Sequence, residues 1–200
     1  MRAKLRTMLL CTGVVALSGL LHVSAHAIDV RPSAEQIQAA LNQGKEAAEK
    51  RSPPDTSYVR FGATDELHPG GFLVTKLGGL SVMATHMALR GIQPSEAEIR
   101  QVLEGQTMLV STVIFGNVPN FAVDSYMLFD QGGQTIKPVT IRFDGFADRS
   151  AAWPDNPRFK AKVIASFNYA DFDPNAKTLI TVYPGTGGES SFSIDFSAIR

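Results

Sequence analysis

Between Phe159 and Tyr169 the chain alternates with a period of two. Phe159, Ala161, Val163, Ala165, Phe167 and Tyr169 are apolar, and the residues before and between them, Arg158, Lys160, Lys162, Ser166 and Asn168, are polar; only Ile164 breaks the second set. A helix would scatter these side chains around its circumference, whereas a strand sorts them onto two faces. One dry face and one wet face is the pattern of an antiparallel sheet with a core on one side. Phe192, Ile194 and Phe196 repeat it, alternating with Ser191, Ser193, Asp195 and Ser197.

From Gln106 onward the period is two throughout. Six strands are expected, over residues 107–116, 121–130, 134–143, 158–170, 178–184 and 190–198. Gln131-Gly132-Gly133-Gln134 reads as a tight hairpin, and Asp173-Pro174-Asn175 as a turn. In the third strand Ile136 takes one face while Val139, Ile141 and Phe143 take the other. The phase flips at Pro138, which points to a bulge or an edge strand.

The preceding stretch has helical spacing. Ser33-Ala34-Glu35-Gln36 and Ser95-Glu96-Ala97-Glu98 are capping boxes, in which the serine hydroxyl and the residue three positions on satisfy each other's backbone amides. The first helix ends at Pro53-Pro54. A second is expected over residues 76–90, with Leu80, Met83, Ala84 and Met87 on one face, and a third stops at Gly105. The expected fold is α+β. A helical N-terminal part over 28–105 packs on an antiparallel β-sandwich over 106–200, Ig-like or similar and of about six strands.

The first 27 residues stand apart. Arg2, Lys4 and Arg6 precede an apolar run from Met8 to Leu21, and Ala25-His26-Ala27 supplies an A-x-A cleavage signal. This is the pattern of a secretory signal peptide and places the protein in the periplasm or outside the cell. The only cysteine, Cys11, lies inside it, so the remainder must hold together without disulfides. No second apolar run is clean enough to span a bilayer, because Phe72 to Ile92 carries Lys76, His86 and Arg90. Three of the 19 basic residues fall in the leader and none of the 19 acidic ones, which leaves the rest slightly acidic. Nucleic acid needs a basic face and is not the expected partner.

The chemistry-bearing candidates are few. Residues 65–72, DELHPGGF, gather Asp65, Glu66 and His68, and His86 could complete a metal-ligand set with them. Adjacent carboxylates seldom point at one ion, however, and no HExxH pattern occurs. Pro69-Gly70-Gly71 favours a chain reversal, with His68 held extended by the proline that follows it. GTGGES, residues 185–190, joins two strands and so offers no helix N-terminus to an anion. Arg158, Lys160 and Lys162 line a wet face that could meet an anionic ligand or an acidic partner. Trp153, the sole tryptophan, either plugs the core or carries recognition from a loop. No motif calls for a cofactor. The expectation is an exported, bacterial periplasmic, non-catalytic protein that binds an envelope protein or a surface ligand. The alternative is an exported metal-assisted hydrolase using Asp65, Glu66, His68 and His86.

Overall fold

The computed structural model describes residues 28–199; the expected leader lies outside them. Three helices are present among these residues: α1 (Ala34–Glu49), α2 (Lys76–Ala88) and α3 (Glu96–Glu104). Both expected capping boxes form. The Ser33 amide donates to Gln36 Oε1 at 2.7 Å and the Ser95 amide to Glu98 Oε2 at 2.8 Å. Gly44 lets α1 cross α2 closely, since a Cβ there would lie 2.2 Å from the Ser81 carbonyl oxygen.

Among the described residues ten strands form two antiparallel sheets, a mixed α+β architecture. They are β1 (Val59–Gly62), β2 (Gly70–Val74), β3 (Thr107–Gly116), β4 (Tyr126–Gln131), β5 (Gln134–Ile136), β6 (Thr140–Phe143), β7 (Asp148–Arg149), β8 (Phe159–Asn168), β9 (Lys177–Tyr183) and β10 (Ser190–Asp195). The larger sheet runs β1-β2-β3-β8-β6, with β7 also paired to β8, and the smaller runs β10-β9-β4-β5.

The alternating segment is the axis of the larger sheet. β8 pairs with β3 over its whole length, from Thr107↔Asn168 to Gly116↔Phe159. Each apolar residue of the alternation is buried, and both sheets feed one core. At its centre Phe129 of β4 stacks on Phe167 of β8, centroids 3.6 Å apart and planes 11° from parallel. Phe172 and Phe196 meet Phe129 edge-on at 5.8 and 5.7 Å, the arrangement the ring quadrupole favours.

Several expectations change. The stretch 28–105 is not helical throughout: it also supplies β1 and β2, which extend the larger sheet through β2–β3 pairing. Over the residues where six strands were expected there are eight, because the third divides and β7 is added. Residues 121–124 are a turn that buries Phe121 and Ala122, and the strand begins only at Tyr126. The expected strand 134–143 is two strands in different sheets. β5 belongs to the smaller and β6 to the larger, each at the edge of its sheet as one of the two expected readings had it, and the phase flip at Pro138 marks a crossing between sheets, not a bulge. Residues 196–198 close as a 3₁₀ turn that buries Phe196. Among the described residues no helix is long and apolar enough to cross a membrane.

Candidate functional site

The wet face of β8 is half of a cleft of about 280 Å³ on the outer surface of the larger sheet. Strand register builds its floor. Gly70 of β2 lies opposite Val113 of β3, which lies opposite Lys162 of β8. One step along, Phe115 lies opposite Lys160, which faces Asp148 of β7. Phe72, opposite Ser111, completes the apolar part, its ring stacked 4.4 Å from Tyr58. From β2 the floor receives the Phe72 side chain alone, since Gly70 and Gly71 carry none. A Cβ on Gly70 would fall 2.1 Å from the Ala63 carbonyl oxygen, and one on Gly71 2.4 Å from that of Ser111. Only glycine allows such close approach of neighbouring backbone.

The DELHPGGF segment joins β1 to β2 and forms one wall. Its shape is fixed by Asp65, whose carboxylate accepts from the amides of Leu67 and His68 at 2.8 and 3.0 Å and sits 2.9 Å from His68 Nδ1. The Leu67 amide foremost, then the His68 ring, hold the Asp65 carboxyl below its ordinary range. Asp65 and His68 are thus a turn lock as well as cleft lining. Glu66 also lines the cleft, and it makes no ion pair among the described residues.

The opposite wall comes from the segment after β6. The Lys162 amide donates to Asp144 Oδ2 at 2.7 Å, which anchors Asp144 beside β8. Lys160 is half-buried and Lys162 exposed, and neither side chain forms an ion pair among the described residues. Arg60, which also lines the cleft, is engaged by Asp55.

The four residues considered for a metal do not converge. Asp65, Glu66 and His68 share the cleft, but His86 lies on the exposed side of α2 and is not among its lining residues. Among the described residues no group of three or more His, Cys, Asp or Glu is placed to hold a metal ion. Ser111 lines the same cleft as the Asp65–His68 pair, yet no hydrogen bond joins it to His68.

Arg158 departs from the expected row. It precedes β8, its Nε donates to the Pro154 carbonyl at 3.1 Å, and it braces the 150–157 loop away from the cleft. Trp153 neither seals the core nor projects freely. It is 41% exposed, rests edge-on against Phe159 at 5.4 Å, and carries the Arg149 guanidinium 4.6 Å from its ring centre. It too lies outside the cleft lining. Sequence reasoning missed Gly70, Val113, Phe115, Asp144 and Asp148 as site residues. A usable signal existed in the alternation: whatever pairs with β8 must present its own wet-face residues beside Lys160 and Lys162.

No family model matches the chain, and no curated protein shows significant sequence similarity to it.

Proposed function

We propose that this is an exported, non-catalytic binding protein of the bacterial envelope, whose ligand enters the cleft on the larger sheet. On this reading the two sheets face each other as a β-sandwich of broadly Ig-like architecture. The helices pack on it and leave one sheet face free for recognition. The observation that carries the proposal is the cleft itself. Two lysines without ion-pair partners among the described residues, several carboxylates and an apolar floor converge on a strand platform, a concave site with polar groups that can orient a small ligand. A binding role is favoured over hydrolysis because Asp65 and His68 are committed to the turn, and a general base must reach its nucleophile. The leader pattern supports export.

Native mass spectrometry of protein recovered from fractionated cells tests this. The expected result is a leaderless chain in the exported fraction that carries a small-molecule adduct. Val113→Trp, which fills the floor, should lose the adduct and keep the fold. A cytoplasmic chain, or an adduct indifferent to Val113→Trp, would overturn the reading.

A further inference from the structure

We infer that the cleft takes a zwitterionic dipeptide or tripeptide with an apolar side chain, an assignment that rests on the binding function proposed above. Charge balance points this way. The lining has cations on Arg60, Lys160 and Lys162 against carboxylates on Asp65, Glu66, Asp144 and Asp148. Such a mixture repels neither end of a zwitterion, whereas an anionic headgroup or a polyanion would meet four carboxylates.

The free charges are also separated in space. Glu66 lies in the β1–β2 connection, while Lys160 and Lys162 lie on β8, two strands from β2, with Asp148 opposite Lys160 and Asp144 held beside Lys162. Adjacent strands are about 4.8 Å apart, which puts β2, the strand that closes the Glu66 wall, roughly 10 Å from β8 across Val113 and Phe115. A single amino acid holds its amine and carboxylate only about 3.5 Å apart, whereas two or three extended residues cover roughly 7 to 10 Å. A short peptide laid across the strands would therefore place its carboxylate at the lysines and its amine at Glu66. An apolar side chain would rest on Val113, Phe115 and Phe72. A cleft of about 280 Å³ is of the order of a short peptide.

The test is a titration of ¹⁵N-labelled protein, as the cell produces it, with alanyl-leucyl-alanine in free, N-acetylated and C-amidated forms. The free form should shift the amides of Gly70, Val113 and Lys162. Blocking either terminus should weaken binding by roughly two- to fivefold, the scale of a partly exposed charge pair. The pair Lys160→Met/Lys162→Met should abolish only the amidation penalty, and Glu66→Gln only the acetylation penalty. Equal binding of all three forms, or shifts confined to residues outside the cleft, would overturn the inference. If the peptides fail while inorganic phosphate or phosphatidylglycerol vesicles move the same three amides, the ligand class is wrong and the binding reading stands. Silence from every probe, together with no adduct in native mass spectrometry, would remove both.

Discussion

Phe129 touches three other phenylalanine rings and has no solvent exposure, which makes it the residue where the two sheets meet. Removing it should leave a cavity that close-packed neighbours cannot fill. Phe129→Ala is expected to cost about 3–5 kcal/mol, measured as a lower urea midpoint with an unchanged slope. Phe146 provides the contrast. It is 76% exposed, so Phe146→Ala should move stability by no more than about 0.5 kcal/mol. Alternation in the sequence placed Phe159, Phe167, Phe192 and Phe196 in the core, and all four are buried. It could not single out Phe129 as the hub, because that depends on which strand faces which across the core.

The turn between β1 and β2 shows how one side chain can order an element. In the folded chain Asp65 is held below its ordinary value of 3.8, chiefly by the Leu67 amide. A carboxylate so held stabilises the fold where it is ionised. The contribution is present above the ordinary value and is lost as pH falls through the lowered one. Asp65→Ala should therefore speed hydrogen exchange at the Leu67 and His68 amides near neutral pH, with the difference shrinking below about pH 4. A difference that persists at low pH would mean that the turn is held by something else. The turn itself was legible in Pro69-Gly70-Gly71, but β1 and β2 were not. Both are short, and adjacent glycines argue against a strand until a neighbouring backbone requires them. The Pro138 flip was legible too. The edge position came with it, but the change of sheet did not, since a bulge and a change of sheet leave the same trace in one sequence. The cleft was hidden for a related reason: Gly70, Val113 and Lys162 meet only through strand register.

At the scale of the whole molecule, Tyr169 joins the end of the larger sheet to the helical layer. It packs on Phe172 at 5.8 Å and lies under the Lys76 ammonium, 5.3 Å from its ring centre. Burial, partly offset by the Lys76 backbone, pushes the Tyr169 hydroxyl up to about 12 from an ordinary 10. A hydroxyl buried neutral favours the folded chain while the unfolded one is also neutral. That contribution is whole below pH 10 and is lost as pH climbs toward 12. Denaturant midpoints should fall over this window in the wild type and fall less in Tyr169→Phe. Equal slopes in both would show that alkaline loss begins elsewhere, for instance at Lys76.

The single tryptophan has a practical consequence. Trp153 leans on Phe159, the residue that precedes Lys160 along β8, and the Arg149 guanidinium lies over its ring. All indole emission from this chain therefore originates at one corner, next to the strand that carries the lysines. The molecule carries its own optical reporter. A ligand that reorganises that end of β8 should change the brightness or colour of its light without any attached dye.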